Sequence, residues 1–166
     1  MKHFWILLGA LSLAACEADV SSDTSESESG SVAEPETDAS PAVEWLRAPG
    51  TEDLELPFSP AVRVGNTLYL SGALGIVPGT RNLAEGGILG ETQQALENIS
   101  ATLEDFGSSM DNVVKCTVFL ADIREWPAMN EIYTTFFPNK PARSAVGISG
   151  LGLSARVEIE CIAVID

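Results

Sequence analysis

Two residues near the C-terminus carry the chain's best prospect of chemistry. Arg143 lies in the run Ala142 to Ile148 and Glu158 in Arg156 to Val164, and both runs read as short apolar strands. A hairpin turning near Gly150 and Leu151 sets Arg143 opposite Glu158 on one face. On a solvated surface that is an ordinary cross-strand ion pair, contributing about 0.2–1 kcal/mol. The neighbours here are apolar, however, and a guanidinium at a mostly buried face suits planar, bidentate capture of a carboxylate. A partly desolvated Glu158 beside such a ligand can take and return a proton, as the addition of water to an electrophilic carbon requires.

Absent residues narrow the chemistry further. The single histidine is His3, inside the N-terminal apolar leader, so the rest of the chain has none. Ser-His-Asp and Cys-His triads and histidine acid–base catalysis are thereby excluded, and a zinc site would need an unusual set of carboxylates or cysteines. No metal and no cofactor is expected. There is no G-x-x-x-x-G-K-S/T, and no G-x-G-x-x-G follows a strand. Residues 45–166 hold eight Lys/Arg and fifteen Asp/Glu, a net charge of -7, which makes nucleic acid a poor partner.

The elements that must hold the pair follow from periodicity. Ala61 to Val64 and Thr67 to Gly72 flank Gly65-Asn66 and read as a hairpin. From Ile88 to Phe106 the residues Leu89, Leu96, Ile99, Leu103 and Phe106 recur at helical spacing, with Gly107 as a stop. Val113 to Leu120 is a strand. Trp126 to Phe137 is a second amphipathic helix, with Trp126, Met129, Ile132, Tyr133 and Phe136 along one side and Pro138 closing it. The expected order is β-β-α-β-α-β-β, an α+β domain with two helices on one face of a mixed sheet. Apolar residues of both parities in 113–120 and 157–164 predict that the second face is buried too, most economically by further copies of the chain. Cys116 and Cys161 lie in those strands and read as buried thiols; their spacing does not decide whether they pair.

The N-terminal third has another character. Met1 to His3 is a basic start, Phe4 to Ala15 is apolar or small, and Leu13-Ala14-Ala15-Cys16 is similar to a bacterial lipobox. Residues 1–15 therefore read as a signal peptide and Cys16 as a lipidation site, the run being too short for a spanning helix. Residues 16–44 are acidic, with no aromatic and no basic residue, and read as a disordered tether with a reach on the order of 30 Å. The expected location is the periplasmic side, anchored by lipid to a membrane, the outer membrane before the inner. Residues 45–166 form the folded domain.

Several segments in order carry a family likeness: Ser71-Gly72, Val114-Lys115-Cys116-Thr117-Val118-Phe119-Leu120-Ala121-Asp122, Met129-Asn130-Glu131-Ile132-Tyr133, Pro141-Ala142-Arg143-Ser144 and Val157-Glu158-Ile159-Glu160-Cys161-Ile162-Ala163. With them the chain resembles the Rid family, the YjgF-like reactive intermediate deaminases, over nearly all of residues 56–165. The resemblance implies a chorismate-mutase-like fold and a homotrimer with sites at subunit interfaces. It implies that Arg143 holds a substrate carboxylate, that Glu158 helps activate water, that Ser71 and Gly72 line the pocket and that Asn130 supports it. The implied reaction converts a small 2-imino acid, or its enamine tautomer, into a 2-keto acid and ammonia without a cofactor. Three positions depart from the family's frequent residues: Phe58 stands for tyrosine, Ala73 for glutamine and Ala145 for cysteine. Phe58 and Ala145 count among the expected substrate-binding positions, now less polar. The other function considered is a module that binds small carboxylates through Arg143 without turnover. The ribonuclease activity ascribed to some relatives suits an acidic, histidine-free domain poorly.

Overall fold

The computed structural model describes residues 40–47, 49 and 56–165. The expected signal peptide, the lipidation site Cys16 and the tether up to residue 39 lie outside the described residues. The sheet begins with β1 (Val43–Leu46), which pairs antiparallel with β2 (Ala61–Val64). Two of its residues, Val43 and Glu44, fall within the segment assigned by composition to the tether. β2 turns into β3 (Thr67–Leu70), with Val64 opposite Thr67. Gly65 takes φ +57° at that two-residue turn, a conformation glycine reaches without a Cβ clash. A two-residue strand, β4 (Ala73–Leu74), pairs with the last strand and was not foreseen from sequence.

Helix α1 runs Gly87–Asp105, close to the expected bounds, and ends before Gly107 at φ +77°. Its buried stripe is one residue out of step with expectation at the N-terminal end: Ile88 packs inward and Leu89 is 40% exposed. Glu91 and Thr92 join the buried face because each has a partner. Glu91 accepts a hydrogen bond from the Arg156 backbone N–H at 2.7 Å, and Thr92 Oγ1 donates to the Ile88 carbonyl at 2.6 Å. Leu96, Ile99 and Leu103 are the fully enclosed part of the stripe, where truncation to alanine costs about 2–5 kcal/mol each. Helix α2 (Trp126–Phe136) buries Met129 and Tyr133 and leaves Trp126 45% exposed.

The remaining strands are β5 (Val113–Leu120), β6 (Ala142–Gly147) and β7 (Val157–Val164), and the sheet order is β1-β2-β3-β7-β5-β6, with β4 beside β7. This corrects the hairpin expected between β6 and β7. β6 pairs parallel to β5, through the α2 crossover, and β7 pairs antiparallel with the opposite edge of β5. A parallel neighbour needs a crossover connection, which α2 supplies, so β6 becomes the edge strand and β5 stands between it and β7. Arg143 is therefore level with Cys116, and Glu158 with Phe119; the two are not partners.

The two faces differ. Cys116, Val118 and Leu120 of β5 and Val157, Ile159, Cys161 and Ala163 of β7 pack under the helices in one core. On the other face Tyr69, Val114 and Val146 are 48%, 47% and 41% exposed. The second face, expected to be buried, is thus uncovered in the single chain among the described residues. Its apolar side chains are present without a partner layer.

Cys116 and Cys161 are directly opposed on β5 and β7 and form a disulfide, which replaces the expected pair of buried thiols. Both sulfurs lie on the helix-covered face, where the strand register brings them together. The bond closes a sequence separation of 45 residues, which in the chain-entropy model stabilises the fold by about 4 kcal/mol.

Candidate active site

The topology splits the expected site into two halves. Arg143 projects from the edge strand β6 toward α2, on the helix-covered face. Its Nη1 donates to Asn130 Oδ1 at 2.7 Å, and its Cζ lies 4.5 Å from the centroid of the Tyr133 ring. Asn130, Tyr133, Thr134, Phe137, Lys140, Pro141 and Arg143 line a cleft of about 410 Å³. The Nε and Nη2 edge of the guanidinium has no protein partner among the described residues. It is the edge that a carboxylate would engage with two parallel hydrogen bonds.

Glu158 belongs to the other half. It sits between the buried Val157 and Ile159 on β7, so its side chain leaves the sheet on the face away from the helices. With Phe58, Ser71, Gly72 and Leu74 it lines a separate cleft of about 350 Å³. Glu160 shares that face farther along the strand, level with Thr117. A second carboxylate two residues away thus points the same way but into a different recess, lined also by Tyr69, Lys115 and Ile162.

Each expected residue can now be placed. Ser71 lines the Glu158 cleft, and its hydroxyl is already committed: Oγ donates to the Ser59 carbonyl at 2.7 Å while its N–H donates to the Pro60 carbonyl at 2.9 Å. Ser71 therefore pins the Phe58-Ser59-Pro60 loop over the cleft. Phe58 is 58% exposed there and forms an apolar wall of the cleft. Asn130 orients Arg143. Ala145, two residues after Arg143 on β6, is partly buried against the core and lines neither of these two clefts. Tyr133, Thr134, Phe137, Lys140 and Leu74 were missed. The signal for Tyr133 was available, since Asn130 and Tyr133 stand three residues apart and share one face of α2.

Electrostatics set the halves apart from the surrounding ion pairs. Burial raises the Tyr133 pKa, partly opposed by the Arg143 charge, so the phenol stays neutral. Among the described residues the most displaced carboxylate is Asp122, held at about 2 mainly by its side-chain hydrogen bond to Arg124. It caps the 3-10 turn before α2 and belongs to an exposed turn, away from both clefts. Arg156 is likewise occupied, paired with Glu125. Among the described residues no cluster of three or more His, Cys, Asp or Glu is arranged to hold a metal, and no helix is long and apolar enough to cross a membrane.

Gly72 sets the position of the Glu158 carboxylate. A Cβ at Gly72 would fall on Glu158 Oε1 and lie 2.8 Å from its Cδ. The obstructing atoms are the far end of a flexible side chain, so Gly72→Ala should displace the carboxylate and leave the fold intact. We expect kcat for the reaction that the family resemblance implies to fall roughly 100-fold with little change in thermal stability. Unchanged turnover in Gly72→Ala would show that Glu158 is not needed where it stands.

Comparison with known proteins shows the family to which the chain belongs. The family model described as Endoribonuclease L-PSP matches residues 51–165. A mouse protein named 2-iminobutanoate/2-iminopropanoate deaminase is 45% identical over 109 residues, 65% of this chain and 81% of that protein. The human protein of the same name is 42% identical over 123 residues, 74% of this chain and 88% of that one. Among solved structures, RidA from the Antarctic bacterium Psychrobacter sp. PAMC 21119 is 40% identical with a TM-score of 0.63, covering 67% of this chain and 90% of that one. The YjgF gene product of E. coli is 32% identical with a TM-score of 0.62, covering 65% and 87%. By sequence over residues 51–165 and by the shared α+β architecture, this chain belongs to the endoribonuclease L-PSP family, which includes the RidA proteins.

Proposed function

We propose that the chain hydrolyses small 2-imino acids, or their enamine tautomers, to 2-keto acids and ammonia, in sites completed between the protomers of a homotrimer. The observation that carries this reading is the division of labour between the two clefts. One holds a guanidinium with a free bidentate edge; the other holds a carboxylate fitted against a glycine; they lie on opposite faces of one sheet. A second copy that covers the exposed face can set its Arg143 cleft against Glu158, which also gives Tyr69, Val114 and Phe58 a covering layer. The names of the relatives, which specify 2-iminobutanoate and 2-iminopropanoate, support the substrate class.

In the reaction Arg143 holds the substrate carboxylate and so fixes C2. Water adds its oxygen to C2 while the C=N electron pair moves to nitrogen. Glu158 accepts a proton from the water and returns it to that nitrogen, giving a carbinolamine. Glu158 then takes the carbinolamine hydroxyl proton and delivers it to the amine nitrogen, the C–N bond breaks as the carbonyl forms, and ammonia leaves. An imine carbon is already electrophilic, so positioning and one proton shuttle account for the chemistry. Phe58 offers an apolar wall and no hydroxyl, so the orientation of water falls to Glu158.

Export to the periplasmic side with a lipid on Cys16 is the compartment we propose. It is supported by the N-terminal pattern of residues 1–16 and by the Cys116–Cys161 disulfide, since stable disulfides belong to oxidising compartments. The tether would then hold the domain clear of the headgroups, and the lipid chains would supply the membrane contact.

Two measurements test these readings. With 2-iminobutanoate generated in situ by an amino-acid oxidase, the wild-type protein should accelerate keto-acid release, and Arg143→Ala and Glu158→Gln should each lose at least 100-fold of that acceleration. Carboxylate binding with no turnover would instead identify a binding module. For the anchor, Cys16→Ser should move the protein from the membrane fraction to the soluble one; full retention in the membrane fraction would refute lipidation at that residue.

A further inference from the structure

We propose that Tyr133 is a positioning residue for Arg143, and that it acts through the face of its ring and not through its hydroxyl. The inference rests on the carboxylate-binding role proposed above for Arg143.

Arginine on an edge strand carries a long side chain whose rotamers must be restricted before it can meet a carboxylate in one geometry. Helix α2 restricts it twice. Asn130 Oδ1 accepts from Nη1 at 2.7 Å, which fixes the rotation of the guanidinium within its own plane. The Tyr133 ring lies 4.5 Å from Cζ, which sets where that plane lies. Asn130 and Tyr133 are one turn apart on the same helix, so both constraints move as a single rigid unit. The ring is itself held: Tyr133 is 5% exposed, and its centroid is 4.5 Å from that of Phe137 at an interplanar angle of 41°.

The hydroxyl has no comparable role. Tyr133 Oη is buried without a hydrogen-bond partner among the described residues. Burial also raises its pKa, so it remains a neutral phenol. A tyrosine in an active-site cleft would ordinarily be suspected of giving or taking a proton, and this one presents its ring to the guanidinium while its oxygen makes no hydrogen bond among the described residues. A phenylalanine ring would make the same contact and remove an unsatisfied buried oxygen.

The test compares Tyr133→Phe, Tyr133→Leu, Arg143→Ala and the double variant Tyr133→Leu/Arg143→Ala in the full chain. Two quantities are read: KM and kcat for 2-iminobutanoate, and the Kd of 2-oxobutanoate, a carboxylate ligand whose binding needs no turnover. Tyr133→Phe should keep wild-type KM and Kd and melt no lower than wild type. Tyr133→Leu should raise KM and Kd about 5- to 30-fold, with a smaller change in kcat. In the Arg143→Ala background the same substitution should add no further loss of affinity, because the group it positions is gone. Damage in Tyr133→Phe equal to that in Tyr133→Leu would overturn the proposal by showing that the hydroxyl is used. An equal further loss of affinity in the Arg143→Ala background would overturn it by showing a merely structural role. If the wild type binds 2-oxobutanoate but turns nothing over, the hydrolytic reading fails while the Kd series still decides the role of Tyr133. If it does not bind 2-oxobutanoate at all, Arg143 has no carboxylate to hold and the proposal falls.

Discussion

The parallel pairing of β5 with β6 is the constraint on which the rest of the molecule depends. Parallel neighbours require a crossover, and here the crossover is α2, the helix that carries Asn130 and Tyr133. One connection therefore places β6 at the sheet edge, turns Arg143 toward the helix layer and brings its two orienting partners within reach. It also leaves the other edge of β5 for β7, which fixes the disulfide register at Cys116 and Cys161. Glu158 consequently projects on the far face with β5 between it and Arg143. A chain with this topology cannot join its guanidinium to its glutamate by folding alone.

That separation accounts for features that look incomplete in a single chain. Phe58 stands exposed over the Glu158 cleft, held there by the hydrogen bonds of Ser71 to the preceding loop. The uncovered sheet face carries Tyr69 and Val114, large side chains that water solvates poorly. Burying these groups against a neighbour and assembling the reactive pair are, in our reading, the same event. A site closed in this way also excludes water from around the carboxylate pair except for the molecule that reacts, where electrostatic contacts are strongest.

Much of this was legible in the sequence, and the failures have definite causes. The β2–β3 hairpin, both helices and the three long strands were found because Gly65-Asn66, the α1 stripe and the apolar runs are local signals. The pairing of Arg143 with Glu158 was not local. Counting across a supposed β6–β7 turn assumes that consecutive strands pair, whereas the amphipathic α2 had already committed β6 to β5. Parity in β5 and β7 pointed correctly to two apolar faces, yet only one has a cover within the chain. Leu89 stands seven residues before Leu96 and so reads as core, yet in the first turn of α1 Ile88 takes the inward place. The cysteines were judged buried, as they are, but only the register between β5 and β7 could pair them. At the site, residue types singled out Arg143 and Glu158, while Ser71, Gly72, Asn130 and Ala145 came from the family likeness; Ala145 packs against the core of its own chain. Tyr133 reads as part of the apolar stripe of α2; its spacing puts it on one face with Asn130, but only the β5–β6 pairing brings Arg143 against its ring.

The central claim is that each reactive site takes its guanidinium from one protomer and its glutamate from another. Complementation between inactive chains tests it most directly. Arg143→Ala and Glu158→Gln chains, each inactive alone, would be mixed in equal amounts and unfolded and refolded together. The account predicts that activity returns to about a quarter of the wild-type value, the share of randomly formed interfaces that combine an intact Arg143 with an intact Glu158. A refolded mixture that forms the oligomer yet is no more active than its parents would contradict the account.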